Sequence, residues 1–193
     1  GVHERLRAEF PDLLTIIAPR HATRGRQIAQ IAERLGVPMA LRSQNEAIGS
    51  GTQVYIADTM GEMGLFYRLT SIVLMGKSLG AAQGGQNPIE PAKLGVTVLY
   101  GPQVGNFIDV YHDLAAAQGA VSVSGEAALT QALPRAASPM PWRRSRRKAG
   151  ARPLLPSRNR EMSKSSNRWA SPRWLASMAM LAAPAAWAQS ARL

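Results

Sequence analysis

Cysteine is absent from this 193-residue sequence, which excludes disulfide bonds, thiolate catalysis and cysteine-based metal sites. Histidine is scarce: His3, His21 and His112 have neither the spacing nor the carboxylate neighbours of a zinc site. No run reaches the roughly 18 apolar residues that a helix needs to cross a bilayer. The sequence therefore predicts no metal centre and no membrane-spanning helix.

Acidic residues are nearly missing from the C-terminal part of the chain, and this sets the net charge of +11. Residues 1–135 hold eleven Lys and Arg against eleven Asp and Glu, whereas residues 136–193 hold twelve against one. The excess charge thus belongs to the tail, and we expect no nucleic-acid partner for the rest of the chain. A nucleic-acid-binding protein acting through the tail is the least favoured alternative, since few aromatic residues there would stack on bases.

Short apolar segments alternate with segments of helical periodicity as far as residue 133. Strands are predicted at 13–18, 38–41, 54–57, 72–75, 96–100 and 120–123, and helices at 24–35, 61–69, 88–94, 106–117 and 126–133. This alternation predicts an α/β domain with a Rossmann-like parallel sheet covered on both faces. In such sheets ligands bind at the carboxyl ends of the strands.

Three polar clusters directly follow predicted strands. We name them the arginine cluster (19–21), the acidic turn (58–62) and the glycine loop (84–91). Because the carboxyl ends of parallel strands share one edge of a sheet, we expect the three clusters to line a common site.

The glycine loop has the composition of an anion-binding loop. Gly84 and Gly85 let the backbone approach a ligand closely. Asn87 is a good N-cap, and Pro88 suits the first position of a helix, so free backbone N–H groups would face a phosphate. Glu90 would accept hydrogen bonds from sugar hydroxyls. An ordinary strand–loop–helix connection is the alternative.

The other two clusters add a cation and a carboxylate. Arg20 offers a planar fork suited to a phosphate or a carboxylate, although a surface arginine at a strand end is the alternative. Glu62 lies in the first turn of its predicted helix, where a carboxylate gains from the helix dipole, so a structural role competes with ligand contact.

Together these motifs resemble the donor-binding domain of the 3-deoxy-D-manno-octulosonic acid (Kdo) transferases. The matching segments are 18–21, 58–67, 84–95 and 100–107, in the family's order and spacing, within a match from about residue 13 to residue 133. The resemblance implies the C-terminal half of a GT-B glycosyltransferase, in which two Rossmann-like domains face each other across a cleft.

The resemblance also implies an activity and a place in the cell. The intact enzyme would transfer Kdo from CMP-Kdo to a lipid A precursor in lipopolysaccharide core biosynthesis, at the cytoplasmic face of the bacterial inner membrane. No cofactor is implied, and the absence of an Asp-x-Asp motif suggests a metal-independent reaction. A non-catalytic module that binds a nucleotide without transfer is the principal alternative.

The family's donor-binding residues carry over to specific positions of this chain. The contacts to CMP would come from Pro19, Arg20, Met60, Gly61, Glu62, Asn87, Pro88, Ile89 and Glu90, with Gly84, Gly85 and Gln86 as further donor-loop residues. Gln86 stands where many relatives carry histidine. No catalytic residue is assigned, because the family's general-base glutamate belongs to the N-terminal domain, which we expect to be missing here together with the donor domain's first strand. A sheet without that strand would have an unpaired edge.

The domain organisation follows from a change of composition near Pro134. Residues 1–135 are expected to form the donor-binding domain, and residues 136–193 a basic tail that is either disordered or the product of an out-of-frame translation. Prolines and the run Arg143–Lys148 dominate the tail. Its one long apolar stretch, 174–186, follows basic residues in the manner of a secretory signal peptide.

Overall fold

The strands of this protein form one parallel sheet. The computed structural model describes residues 1–79, 84–137 and 178–181. All of the pairings between strands are parallel, in the order β2-β3-β1-β7-β4-β5-β6. The strands are β1 (Leu14–Ile17), β2 (Met39–Leu41), β3 (Val54–Ile56), β4 (Ile72–Leu74), β5 (Thr97–Tyr100), β6 (Ala120–Ser122) and β7 (Met178–Leu181).

Helices connect the strands and cover the sheet. They are α1 (Val2–Glu9), α2 (Gly25–Arg34), α3 (Met63–Leu69), α4 (Ile89–Lys93), α5 (Ile108–Ala116) and α6 (Glu126–Ala137). The α/β class with a parallel sheet is confirmed. Among the described residues, no helix combines the length and the apolar character needed to cross a membrane.

The core lies on both faces of the sheet, as its apolar strands require. Every residue of β1, β3 and β5 is buried. One apolar cluster joins Ile16, Val73 and Val98 to Tyr111 of α5, and a second contains Leu99 together with Leu129 of α6. Because the side chains of a strand alternate between the two faces, neighbouring residues such as Val98 and Leu99 belong to different clusters.

The N-terminal helix was not predicted. It packs on α6, with Leu6 buried in the same cluster as Leu129 and Leu133. His3 lies 2.9 Å, Nδ1 to Oγ1, from Thr15 of β1, and burial lowers the pKa of its imidazole. The first turn of the chain is therefore tied to the sheet as well as to α6.

Strand β7 comes from the tail and lies in the middle of the sheet. It pairs with β1, where Thr15 is opposite Ala179, and with β4, where Ile72 is opposite the same residue. Since β1 and β4 do not pair with each other, β7 joins two three-stranded halves. The structure here differs from the expectation that the tail lies outside the fold. The other tail residues beyond Ala137 lie outside the described residues.

Backbone hydrogen bonding explains why a strand lies at this central position. Without β7, the amide and carbonyl groups that β1 and β4 turn towards each other would lose their partners in the interior of the protein, which is costly. Any extended segment can supply those partners, and Met178–Leu181 belongs to the apolar stretch of the tail.

We predict that β7 contributes measurably to stability. A chain ending at residue 181 should unfold at a higher urea concentration than one ending at residue 177, because the two differ only by the four residues of β7. Loss of several central hydrogen bonds should lower the free energy of unfolding by at least about 2 kcal/mol. Equal unfolding midpoints would show that β7 is not needed in the sheet and would favour a separate tail.

Candidate functional site

The three polar clusters lie at the same edge of the sheet. The arginine cluster follows β1, the acidic turn follows β3, and the glycine loop lies between β4 and α4. Since these strands run parallel, Arg20 and Glu90 are at one edge rather than at opposite ends. The parallel order of the strands thus places the three clusters at one edge of the sheet, and their use as one binding site stays a prediction.

The glycine loop is held by the loop that follows β5. The Asn106 N–H donates to the Gly84 carbonyl at 3.1 Å, and the Tyr111 hydroxyl donates to the Gln86 carbonyl at 2.7 Å. Gly84 has a φ of 105°, and a Cβ atom there would lie 2.6 Å from Asn106 Nδ2. Only glycine fits this position without a shift of its neighbours.

A buried serine joins the same two loops below the site. Ser78 is fully buried; its hydroxyl donates to the Met75 carbonyl at 2.6 Å and accepts the Gly101 N–H at 2.9 Å. A Cβ atom on Gly101 would lie 2.0 Å from the Ser78 carbonyl oxygen. The loops after β4 and β5 therefore form one hydrogen-bonded unit.

Backbone N–H groups of the glycine loop are available to a ligand. In the part of the chain that the structure describes, those of Gly84, Gln86 and Asn87 donate to no protein acceptor. The Asn87 side chain accepts the Ile89 N–H at 2.9 Å, as an N-cap would, but Pro88 is the capping residue and α4 begins one residue later than predicted. Pro88 is fully buried, and Ile89 is exposed.

The Glu62 carboxylate is already paired within the protein, which favours the structural role given as the alternative, while its contact with the donor stays a prediction. Arg42 donates to both of its oxygens, from Nη2 at 2.7 Å and from Nε at 3.0 Å. Thr59 donates a further short hydrogen bond. The bonds from Arg42, and then the one from Thr59, lower the pKa of Glu62, and the same pairing raises the pKa of Arg42. Both side chains are partly exposed, so a ligand can still reach the pair.

Glu90 lies against helix α3. Its Oε1 is 3.5 Å from the point that a Cβ atom on Gly64 would occupy, an ordinary van der Waals distance, so Glu90 lies close to the backbone of α3. Burial, and secondarily the charge of Glu90, raises the pKa of Tyr67 to about 12. The helices that begin after the acidic turn and after the glycine loop thus meet at the site.

The remaining predicted contacts are exposed at this edge. Arg20 is exposed and has no hydrogen bond or ion pair among the described residues. Met60 is 75% exposed, and Gly61 has a φ of 83°, which lets the acidic turn enter α3. Pro19 is half-buried beside Arg20. The structure brings no group of three metal-binding side chains together among the described residues.

Two residues at the site were not predicted. Arg42 directly follows β2 and could have been predicted from the sequence. The other clusters were chosen because they follow predicted strands, and the same criterion applies to the end of β2. Tyr111 lies in the middle of α5, far along the chain from Gln86, and no local pattern identifies it.

Known proteins resemble this chain in sequence. No protein-family model matches it. A 3-deoxy-D-manno-octulosonic acid transferase of Haemophilus influenzae is 34% identical over 125 residues, which is 65% of this chain and 29% of the relative. A probable mitochondrial one of Arabidopsis thaliana is 40% identical over 55% of this chain and 24% of its own length. The 3-deoxy-D-manno-octulosonic acid transferase of Bordetella pertussis is 34% identical over 63% of this chain and 28% of its own length.

The fold has a solved counterpart. The crystal structure of the C-terminal CMP-Kdo binding domain of WaaA from Acinetobacter baumannii superposes with a TM-score of 0.63 at 22% identity, covering 74% of this chain and 91% of that one. The chain is related to the Kdo transferases. The resemblance found in the sequence is confirmed, and it concerns one part of these enzymes, because the match spans less than a third of each curated relative.

The Arg42–Glu62 pair predicts a dependence of stability on acid. A carboxyl whose pKa is lowered in the folded state stabilises the protein above the ordinary glutamate pKa of 4.5, and this contribution is lost as the pH falls through the lowered value. Glu62→Gln should cost about 1 kcal/mol of unfolding free energy at pH 7. It should also remove this part of the acid dependence.

Urea unfolding at pH 7 and at a series of values below 4.5 measures both effects. Glu33→Gln is the matched control, because Glu33 is exposed and forms no ion pair within the described residues. Identical acid profiles for the wild type and Glu62→Gln would contradict the pairing.

Proposed function

We propose that this chain is the donor-binding part of a Kdo transferase and that CMP-Kdo binds at the edge formed by the arginine cluster, the acidic turn and the glycine loop. The observation that carries the proposal is the set of backbone N–H groups in the glycine loop that have no acceptor among the described residues, in the same loop as the exposed Glu90. The identity with Kdo transferases and the fold shared with a CMP-Kdo binding domain support it.

Each part of the proposed site has a chemical role. The N–H groups of Gln86 and Asn87 donate to the donor's phosphate and stabilise the charge that it gains as CMP departs. Arg20, which has no protein partner among the described residues, adds a permanent positive charge. Glu90 accepts hydrogen bonds from the ribose hydroxyls. The arrangement calls on no metal ion, and we propose a metal-independent reaction.

Arg42 and Glu62 act as one unit in this proposal. A carboxylate that receives two bonds from a guanidinium has lone pairs left for a sugar or base donor, while the pairing fixes its direction. Pro19, Met60, Gly61, Pro88 and Ile89 shape the walls, and the exposed Met60 offers apolar surface to the donor.

The proposed acceptor is supported only by the similarity of this chain to the Kdo transferases. We propose that the intact enzyme transfers Kdo to a lipid A precursor in lipopolysaccharide synthesis, at the cytoplasmic face of the inner membrane. The alternative, a module that binds the nucleotide without taking part in transfer, uses the same edge and the same residues. Transfer activity, rather than CMP binding, distinguishes the two.

We predict that the chain binds CMP and that Glu90→Gln weakens the binding. Loss of a charged acceptor for the ribose hydroxyls should reduce the affinity by roughly tenfold or more. Isothermal titration with CMP measures the change. Glu33→Gln, at the far end of α2, should bind as the wild type does. Equal affinities for the wild type and Glu90→Gln would remove Glu90 from the site.

A second prediction concerns transfer. By the family resemblance, the general base and the acceptor surface belong to the N-terminal domain, and this chain matches less than a third of each relative. General acid–base catalysis is typically worth about 10²–10⁴-fold. Incubation of this 193-residue chain with CMP-Kdo and a lipid A precursor should therefore give no detectable product. Measurable turnover would show that this chain itself contains the catalytic residues.

A further inference from the structure

We propose that Tyr111 is a positioning residue: its hydroxyl turns one peptide group of the glycine loop so that the Asn87 N–H faces the donor's phosphate. The inference rests on the proposed donor site and adds a residue from outside the three clusters. It depends on the bond of 2.7 Å from the Tyr111 hydroxyl to the Gln86 carbonyl.

The argument begins with the planarity of the peptide. The Gln86 carbonyl and the Asn87 N–H belong to one trans peptide group, so they point in opposite directions. Tyr111 binds the carbonyl from the side of the core. The N–H must then point away from the core, and it has no acceptor among the described residues. Rotation of this peptide would turn the carbonyl towards the phosphate and replace attraction by repulsion.

The peptide between Gly84 and Gly85, earlier in the loop, is already fixed at both of its ends. The Gly84 carbonyl accepts from the Asn106 N–H, and the Gly85 N–H donates to the Lys77 carbonyl, each at 3.1 Å. The peptide between Gln86 and Asn87 has no such backbone partners. Within the described part of the chain, Tyr111 is the one side chain that donates to a carbonyl of the loop.

Tyr111 is well suited to hold a peptide in place. Tyr111 is fully buried, and the centroid of its ring lies 4.5 Å from the ring centroid of Tyr100 on β5. Burial raises the pKa of the phenol, so the hydroxyl keeps the proton that it donates. A donor fixed by core packing loses little freedom when it orients the loop.

The test compares two single-hydroxyl deletions in the full chain. Tyr111→Phe should bind CMP roughly tenfold more weakly than the wild type, the range expected for one hydrogen bond to a charged group. In the wild type the amide resonance of Asn87 should shift on addition of CMP, and in Tyr111→Phe this shift should be largely lost. Tyr100→Phe removes the hydroxyl of the neighbouring ring, a hydroxyl that forms no hydrogen bond among the described residues, and should leave both readouts unchanged.

The outcomes separate the two proposals. If the wild type does not bind CMP, the proposed function fails, and the carbonyl ¹³C resonance of Gln86 still tests the anchor, because loss of the accepted hydrogen bond should shift it in Tyr111→Phe and not in Tyr100→Phe. If the wild type binds and Tyr111→Phe binds equally well, the positioning role is wrong. A Tyr111→Phe chain that fails to fold would also overturn it, because the hydroxyl would then support the core rather than the loop.

Discussion

In a parallel sheet every strand ends at the same edge, and the buried polar groups of the loops that leave this edge need hydrogen-bond partners within the protein or in bound water. Here the two loops after β4 and β5 find them in one another through Ser78 and Gly101. The bond is buried, so breaking it would leave a backbone N–H without a partner. The shape of the glycine loop thus depends on contacts made below it as well as on its own glycines.

The two carboxylates of the site illustrate how the surroundings decide a role. Glu62 and Glu90 both lie near the start of a helix, and both were expected to contact the donor. Glu62 is held by Arg42 and Thr59, so its direction is set before any ligand arrives. Glu90 forms no ion pair in the described part of the chain and keeps its lone pairs for a ligand. We infer that Glu62 shapes the site while Glu90 does more of the binding.

Local pattern was sufficient for most of the fold and for the edge of the sheet at which the three clusters lie. Buried strands such as β1 and β5 are continuous apolar runs bounded by proline or glycine, and a polar cluster after such a strand has to lie at the carboxyl edge. The pairing of Arg42 with Glu62 and the anchoring of Gln86 by Tyr111 join residues 20 and 25 positions apart. Nothing in either segment encodes its partner, because such contacts arise only when the strands are placed in order.

The central strand shows the same limit more sharply. Strand pairing uses backbone N–H and C=O groups, which do not depend on the side chains. The position between β1 and β4 can therefore accept any extended apolar segment and does not require a particular sequence. The charge and the prolines of the tail argue against a fold, but they say little about a four-residue apolar segment within it. The average composition of the tail therefore predicts the position of this segment less well than the unpaired backbone groups of β1 and β4 do. The pairing of β7 also connects the tail to the candidate site, since β7 joins the half of the sheet that carries Arg20 to the half that carries the glycine loop.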